Sequence, residues 1–328
     1  MRRALITGVG GQDGSLLAEL LIEAGYAVSG LVRPGAQRYE NLAGIEERIE
    51  LHEADLLSQT SLAQALRAAR PAEVYNLAAP SFVPASWEEP VQTAEFAAVG
   101  ATSLLEAIRV VDPSIRFYQA SSSEIFGDPS ESPQSETTPL APVTPYGVAK
   151  AYAHFSARSY RHRYGLYACS GILYNHESPR RPLKFLPRKV AYGAAAISLG
   201  LERELVLGDL DATRDWGYAG DYVRAMWLML QQDAPDDYIV ASGQAHSVRE
   251  LVQCAFSHVG LDWQEYVRVD HGLERGSAEL HSLVGDPAKA RSQLGWRADV
   301  DFTELVHLLV DADLERLRTG ETATSMER

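Results

Sequence analysis

The chain has 328 residues, 46% of them hydrophobic, and a formal net charge of −14. This length and composition predict a folded globular protein with one large core or two unequal lobes, and they exclude a disordered chain. The negative charge argues against nucleic acid or an anionic membrane surface as a partner, because both require a basic footprint on the protein.

Cysteine usage and the start of the chain indicate the compartment. The two cysteines, Cys169 and Cys254, cannot build a disulfide framework and fit a reducing environment. They have no partners at ligand spacing, so no metal site is predicted. Residues Met1 to Gly14 hold only a short apolar run before the glycines, which fits neither a signal peptide nor a membrane span. We therefore expect a cytoplasmic protein.

Short apolar runs alternate with helical patterns along the first half of the chain. The predicted strands are Ala4 to Thr7, Ala27 to Val32, Glu73 to Ala79 and Arg116 to Ser121, and the predicted helices are Ser15 to Glu23, Leu62 to Ala69 and about Glu95 to Val110. This alternation predicts an α/β fold, a Rossmann-type doubly wound parallel sheet with helices on both faces. The stretch Asp128 to Pro145, rich in Pro, Ser and Thr, is expected to be a loop over the site.

A glycine-rich turn joins the first predicted strand to the first predicted helix. Such glycines let a pyrophosphate reach main-chain N–H groups at the helix N-terminus. The pattern alone also fits a plain structural turn, but its place between strand and helix favours a dinucleotide site. The expected cofactor contacts in this turn are Gly8, Gly11, Gln12, Asp13 and Gly14.

The residue after the second predicted strand indicates whether NAD or NADP binds. An acid at this point holds the ribose of NAD, whereas an arginine accommodates the 2′-phosphate of NADP. The chain has Arg33 here, so NADP is the predicted cofactor, with a solvated loop arginine as the alternative. Asp55, followed by Leu56, is placed for an adenine contact, with a surface acid as the alternative.

Hydroxyl, carboxyl and phenol groups follow the strand that ends at Ser121. Ser122 and Glu124 lie in a serine run, and Tyr146 and Lys150 are four residues apart, hence on one face of a helix. The ordinary pKa of tyrosine is about 10, and a neighbouring ammonium and a positive nicotinamide would lower it. Tyr146 is therefore a credible acid and base for a hydroxyl group that is oxidised. The alternative for Glu124 is a carboxylate at a helix start.

Together with longer runs, these motifs resemble the GDP-mannose 4,6-dehydratases of the extended short-chain dehydrogenase/reductase family. The resemblance covers nearly the whole chain, and its most specific motifs are the runs from Asn175 to Arg181 and from Arg214 to Gly217. The other matching runs are Ile6 to Gly8, Gln12 to Gly14, Tyr75 to Ala79, Phe117 to Ser121, Tyr146 to Lys150 and Gly285 to Pro287.

The resemblance implies a dehydration in which the cofactor is recycled. Tyr146 takes the proton of the sugar C4 hydroxyl while hydride leaves C4 for NADP. Glu124 then removes the C5 proton and protonates the departing C6 hydroxyl as water, before hydride returns to C6. Ser122 would hold the C4 oxygen, and Lys150 would tune Tyr146 and hold the nicotinamide ribose. The implied conversion is of GDP-mannose to GDP-4-keto-6-deoxymannose.

The same resemblance implies further ligand contacts and a homodimer or homotetramer. The implied NADP contacts are Leu77, Ala78, Ala79, Ser81, Lys150, His176 and Arg181, where a core histidine is the alternative for His176. The implied nucleotide-sugar contacts are Ser81, Ser122, Glu124, Asn175, Arg188, Lys189, Arg214 and Arg275. The family's usual threonine in the serine run is Ser122 here, and its usual Arg-Pro-Glu-Val-like segment becomes Glu274 to Glu279.

Charge in the second half of the chain supports an anionic substrate. The ten positions from 180 to 189 contain Arg180, Arg181, Lys184, Arg188 and Lys189. Such a cluster is suited to clamp a diphosphate, with a solvated charged face as the alternative. We assign 1–174 and about 213–243 to the NADP-binding domain, about 175–212 and 244–318 to a smaller C-terminal substrate-binding lobe, and 319–328 to a tail.

Three other functions share parts of this pattern. A nucleotide-sugar 4-epimerase or decarboxylase would also use Tyr146 and NADP. An epimerase, however, does not need Glu124, and a decarboxylase needs a basic residue at a C6 carboxylate. A dinucleotide-sensing protein without turnover has no use for Tyr146, Lys150 and Glu124 together. The sequence therefore favours dehydration.

Overall fold

The computed structural model describes residues 1–35, 39–270, 272 and 283–320. Its strands are β1 Arg3–Thr7, β2 Ala27–Val32, β3 Ile49–Glu53, β4 Glu73–Asn76, β5 Arg116–Ala120, β6 Ala168–Leu173, β7 Asn175–Glu177, β8 Leu205–Leu207, β9 Thr213–Arg214, β10 Trp216–Tyr218, β11 Asp237–Val240, β12 His246–Ser247 and β13 Val267–Val269. Its helices are α1 Gln12–Glu23, α2 Gln59–Ala69, α3 Ala85–Glu88, α4 Pro90–Ala94, α5 Gly100–Val111, α6 Pro145–Tyr164, α7 Leu186–Ser198, α8 Ala219–Met229, α9 Val248–His258, α10 Trp263–Tyr266, α11 Ala288–Leu294 and α12 Phe302–Thr319.

The centre of the protein is a parallel sheet. Within the described ranges it has seven strands in the order β3-β2-β1-β4-β5-β6-β11, and its neighbouring strands pair in parallel. The strand order changes direction between β1 and β4, which is where such sheets bind ligands. The predicted α/β doubly wound sheet is confirmed. The sequence reading missed β3, an edge strand in which Ile49 is the buried residue, so no apolar run marked it.

Both faces of the sheet are covered, because successive residues of a strand point to opposite sides. In β1, Ile6 packs with Leu17 of α1 and Met226 of α8. The adjacent Leu5 packs on the other face with Leu62 of α2 and Leu104 of α5. Burial from two sides explains why these strands are continuous apolar runs rather than alternating ones.

One predicted strand and one predicted helix show how the structure changes the expected bounds. The predicted strand from Glu73 ends at Asn76 rather than Ala79. The backbone turns there, because Leu77 and Ala78 donate their N–H groups to the Thr7 hydroxyl, each at 3.1 Å. The helix expected from Glu95 is a π-helical turn, Glu95–Val99, followed by α5.

A second hydrophobic cluster lies in the later part of the chain. It joins α7, α9 and α12 with β8 and β13, and its buried members include Val190, Phe256, Leu207, Val267 and Leu309. The expected bounds of a substrate-binding lobe remain a prediction. Across the described residues, no helix combines the length and apolar character that a membrane crossing requires.

A buried ion pair joins α7 to α12. The Arg188 and Asp313 side chains are wholly buried, and Arg188 Nη1 donates to Asp313 Oδ2. Arg188 Nε also donates to the Arg181 carbonyl at 3.1 Å, and Arg316 Nη1 donates to Asp313 Oδ1 at 3.3 Å. Arg188 therefore connects two helices and the segment before α7.

Replacing Arg188 by Met should destabilise the protein, because the Asp313 carboxylate stays buried and loses one cation. We expect the free energy of unfolding to fall by about 3 kcal/mol in urea denaturation. The control Arg268→Met removes an exposed cation 3.8 Å from Glu204 and should change that free energy by less than about 1 kcal/mol. Equally small losses in the two variants would contradict a structural role for Arg188.

Candidate active site

A chain of buried polar side chains crosses the carboxyl ends of three neighbouring strands. The Thr7 hydroxyl donates to Asn76 Oδ1 at 2.8 Å, and Asn76 Nδ2 donates to Gln119 Oε1 at 2.9 Å. The same Thr7 oxygen accepts the N–H groups of Leu77 and Ala78. One threonine thus fixes the loop after β4 beside the turn after β1.

The glycine turn after β1 leaves no room for side chains. Gly8 has φ +69°, and Gly11 N donates to Gly8 O at 3.0 Å. A Cβ on Gly14 would lie 2.2 Å from Gly8 O. Gly11 is the N-cap of α1 and supplies no capping side chain, so the first-turn N–H groups have no side-chain acceptor at the cap. Such a cradle fits the pyrophosphate of a dinucleotide.

An ion pair neutralises the acid in the first turn of α1. Asp13 Oδ2 lies 2.8 Å from His176 Nε2, and His176 Nδ1 lies 2.7 Å from the Tyr174 carbonyl. Burial would raise the pKa of Asp13, but the charge and hydrogen bond of His176 lower it to about 2. Burial would lower the pKa of His176, and Asp13 raises it above its usual value. Because both ring nitrogens face acceptors, we assign a protonated imidazole.

Gln12 ties the glycine turn to the segment after β6. Its Nε2 donates to the His176 carbonyl at 3.1 Å and to Asp13 Oδ1 at 2.9 Å. Ser178 Oγ donates to Gln12 Oε1 at 2.9 Å. The structure thus brings together three of the expected cofactor contacts, Gln12, Asp13 and His176.

The start of α6 brings the phenol and the carboxylate together. Thr144 caps this helix by accepting the Gly147 N–H at 2.9 Å, and its hydroxyl donates to Glu124 Oε2 at 3.4 Å. A Cβ on Gly147 would lie 2.5 Å from Glu124 O. Ser122 Oγ accepts the Glu124 N–H at 3.2 Å, and its hydroxyl lies near enough to Tyr146 to lower the pKa of that phenol. These contacts gather Ser122, Glu124 and Tyr146 at one point.

Burial dominates the electrostatics of Tyr146 and Lys150. It raises the pKa of Tyr146 to about 12, with the Glu124 charge acting the same way and the Ser122 hydrogen bond opposing both. It lowers the pKa of Lys150 to about 8. Lys150 Nζ donates to the Ala120 carbonyl at 2.9 Å and lies 5.6 Å from the Tyr146 ring centre. Tyr146 is therefore protonated at neutral pH until a bound ligand adds positive charge or donors.

The remaining expected cofactor contacts lie along the loops of the same edge. Arg33 is exposed, with its guanidinium 4.8 Å from the Phe96 ring centre. Asp55 is exposed and accepts the Leu57 N–H at 2.9 Å; Leu56 is buried and Ser81 exposed. Ala79 is half-buried, as are Leu77 and Ala78. The cofactor roles of all these residues remain predictions.

Most members of the sequence cluster of cations are already paired. Arg180 lies 2.6 Å from Glu19, Arg181 Nε lies 3.3 Å from the buried Glu177, and Arg188 pairs with Asp313. Lys189 Nζ donates to the Val206 carbonyl at 2.7 Å, and burial lowers its pKa. The run is therefore not a row of free cations. The phosphate roles of Arg188 and Lys189 require these contacts to be shared or exchanged.

Two short strand pairs carry other expected substrate contacts. Arg214 ends β9, which pairs with β12, and its Nη1 donates to the Thr213 carbonyl at 2.7 Å. Asn175 begins β7, where it lies opposite Trp216 of β10. Arg275 lies outside the described residues.

Sequence reasoning missed Thr144 and Glu177 as site residues. A signal existed for Thr144, because a threonine directly before a proline marks a helix N-cap with Pro at the first position. Glu177 gave no such signal: its burial beside Arg181 depends on the pairing of β7 with β10. Among the described residues, no three His, Cys, Asp or Glu side chains are grouped to hold a metal ion.

Comparison with known proteins places the chain in one family. The model of the family described as GDP-mannose 4,6 dehydratase matches residues 5–309. GDP-mannose 4,6 dehydratase 1 of Arabidopsis thaliana is 47% identical over 325 residues, covering 95% of this chain and 90% of the relative. The Homo sapiens GDP-mannose 4,6 dehydratase is 43% identical over 347 residues, covering 98% and 93%. The structure of DesIV, a dTDP-glucose 4,6-dehydratase from Streptomyces venezuelae with NAD and TYD bound, has TM-score 0.85 and 26% identity, covering 97% of this chain and 98% of that one.

Substituting Gly14 by Ala should displace α1 from the turn, because the new Cβ meets a backbone oxygen that cannot rotate away. We expect the free energy of unfolding to fall by about 1–3 kcal/mol. We also expect the dissociation constant for NADP, measured by calorimetry, to rise. The control Gly44→Ala adds a Cβ with no atom within 4 Å and should change neither value. Unchanged NADP binding in Gly14→Ala would show that the turn is not the cofactor site.

Proposed function

This chain belongs to the GDP-mannose 4,6-dehydratase family, and we propose that Ser122, Glu124, Tyr146 and Lys150 carry out its reaction with NADP as the bound cofactor. It is a nucleotide-sugar 4,6-dehydratase, a hydro-lyase that converts GDP-mannose. The observation that carries the residue assignment is the start of α6, which sets Tyr146 beside Ser122 and the Glu124 backbone.

Tyr146 and Ser122 act on the C4 hydroxyl of the sugar. The phenolate of Tyr146, formed once ligand binding has lowered its pKa, accepts the C4 hydroxyl proton, and Ser122 holds the same oxygen through a hydrogen bond. Hydride chemistry would be supplied by a bound nicotinamide, which would take hydride from C4 and return it to C6. Lys150, buried four residues along α6 from Tyr146, favours the phenolate by its charge and holds its ammonium against the strand end through the Ala120 carbonyl.

Glu124 performs the elimination. A ketone at C4 makes the C5 hydrogen acidic, and the half-buried Glu124 carboxylate removes that proton. The protonated carboxyl group then donates to the departing C6 hydroxyl, which leaves as water, so that one residue serves as base and then as acid. Once C6 has regained hydride, C5 is reprotonated; the proton that Tyr146 took from the C4 hydroxyl balances this step and restores the phenolate. Epimerisation at C4 needs no such carboxylate, and Glu124 therefore supports dehydration over the alternative.

The cofactor is a nicotinamide dinucleotide, which the glycine cradle and the likeness to DesIV with bound NAD support. The choice of NADP rests on Arg33, whose exposed guanidinium follows β2 and can meet a 2′-phosphate. The Asp13–His176 ion pair leaves no free negative charge at the helix N-terminus, which suits a pyrophosphate there.

Changing Glu124 to Gln should abolish dehydration, because an amide can neither remove the C5 proton nor protonate the departing C6 hydroxyl. We expect kcat to fall at least about 10²-fold, measured by mass spectrometry as loss of water from GDP-mannose. The NADP dissociation constant should stay within about twofold of that of the wild type, because Glu124 is assigned to the sugar. Wild-type protein that dehydrates no nucleotide-sugar despite bound NADP would overturn the proposed function, and C4 epimerisation would then be assayed.

Changing Arg33 to Ala should reduce discrimination between the two cofactors. Loss of a charge-assisted contact should lower the affinity for NADP about 10-fold to 100-fold. The affinity for NAD should stay nearly unchanged, and calorimetry measures both. The control Arg268→Ala removes another exposed arginine and should alter neither affinity. A parallel fall in both affinities would indicate that Arg33 shapes the loop and does not contact the phosphate.

We propose that the chain forms a homo-oligomer through α6 and the neighbouring helices. The exposed face of α6 begins with Val148, Tyr152 and Phe155, which are 54%, 51% and 48% exposed. Acids Glu88, Glu89 and Glu95 lie at the strand carboxyl end of this helix layer, and Arg158, His162 and Arg163 lie toward the other end. A two-fold axis across the helices would therefore set acids against bases as well as bury the apolar residues.

Tyr152→Glu should weaken this association, because it places a charge in the apolar part of the interface. We expect the mass from light scattering after size exclusion to fall toward that of one chain. The control Val269→Glu changes a residue that is 45% exposed on β13 and should keep the wild-type mass. An unchanged mass for Tyr152→Glu would place the interface on another surface.

A further inference from the structure

Asp215 is a buried carboxylate that holds two loops. It is wholly buried, and its Oδ1 accepts the N–H of Ser242 at 2.9 Å and the hydroxyl of the same residue at 2.6 Å. Its Oδ2 accepts the N–H groups of Gly243 at 3.0 Å and Gly285 at 3.3 Å. One side chain therefore joins the loop after β11 to the segment before α11.

The backbone of Asp215 occupies a junction between two small sheets. It is the residue between β9 and β10. In β9, Arg214 lies opposite His246 of β12, and in β10, Trp216 lies opposite Asn175 of β7. The two neighbours of Asp215 in the chain therefore pair with different strands. Arg214 pairs with β12, and Trp216 pairs with Asn175 of β7.

The four hydrogen bonds to the Asp215 carboxylate hold the backbone at this junction in place. Burial raises the pKa of Asp215, whereas the Ser242, Gly285 and Gly243 hydrogen bonds oppose that shift. Hydrogen bonds to a charged acceptor are stronger than those between neutral groups. Removing a buried acceptor leaves its donors without hydrogen-bond partners, which costs stability. The path from β9 to β10 is therefore fixed by side-chain chemistry, not only by strand pairing.

We propose that Asp215 is a positioning residue for the nucleotide-sugar, setting Arg214 relative to Asn175 through its hold on the two loops. This inference rests on the proposed function, which assigns Arg214 and Asn175 to the substrate. Asp215 itself does not contact the reacting atoms; it acts through these two residues.

The test is Asp215→Asn, which keeps the size of the side chain. Its amide nitrogen would face N–H donors in either orientation, so about half of the acceptor capacity is lost. We expect KM for GDP-mannose to rise about tenfold or more while kcat stays within about threefold and the NADP dissociation constant is unchanged. A fall in stability alone would not separate KM from kcat in this way.

Asp221→Ala provides the matched control. Asp221 is another buried carboxylate, in the first turn of α8, and its Oδ2 accepts the N–H groups of Asp299 at 2.9 Å and Val300 at 3.0 Å. Its loss should lower the melting temperature without changing KM. Equal KM values in wild type, Asp215→Asn and Asp221→Ala would overturn the proposal, as would a rise in KM of the same size in both variants.

Ser242→Ala keeps the proposal testable if Asp215→Asn fails to fold. It removes one hydroxyl donor at 2.6 Å from Asp215 Oδ1, and KM should rise about threefold to tenfold; an unchanged KM would then overturn the proposal. If wild-type protein does not dehydrate GDP-mannose, the proposed function fails, and GDP affinity measured by calorimetry in the same variants replaces KM. Wild-type protein that binds no GDP would overturn both the proposed function and the positioning role of Asp215.

Discussion

The site depends on two places where a helix begins in direct contact with the backbone of another segment. A Cβ on Gly14 would lie 2.2 Å from Gly8 O, and one on Gly147 would lie 2.5 Å from Glu124 O. Carbonyl oxygens within a turn cannot rotate away as side chains do, so each contact requires glycine. The first contact forms the anion cradle at α1, and the second brings Tyr146 of α6 beside the acid.

Buried charges in this protein serve two different purposes. Asp13 with His176, and Arg188 with Asp313, are neutralised pairs that fix one segment against another. The pKa of Tyr146, in contrast, is shifted mainly by burial. Because water is largely excluded around this phenol, a charge or hydrogen-bond donor brought by a ligand changes its pKa strongly. A group that exchanges protons with a substrate requires this property.

The fold by itself does not choose among the reactions that a Rossmann-type sheet can host. The phenol and ammonium on α6 suit any oxidation of a sugar hydroxyl. The carboxylate of Glu124, held against the same helix through Thr144, adds the proton transfer that an elimination needs. In the proposed mechanism, the choice of reaction thus depends on the short turn after β5 that carries Glu124, and the choice of substrate depends on how β7 and β9 are set beside that turn.

The sequence alone determined the sheet type, the glycine turn and the Tyr146–Lys150 spacing, because each depends on local periodicity or on contacts between near neighbours. It did not reveal β3, whose residues carry no apolar run, or the burial of Glu177. It placed Arg188 in a cluster of cations suited to a diphosphate and could not show that the folded chain pairs this residue with Asp313, 125 positions away. Only the tertiary structure decided these features, because a charge is paired or free according to what distant segments bring to it.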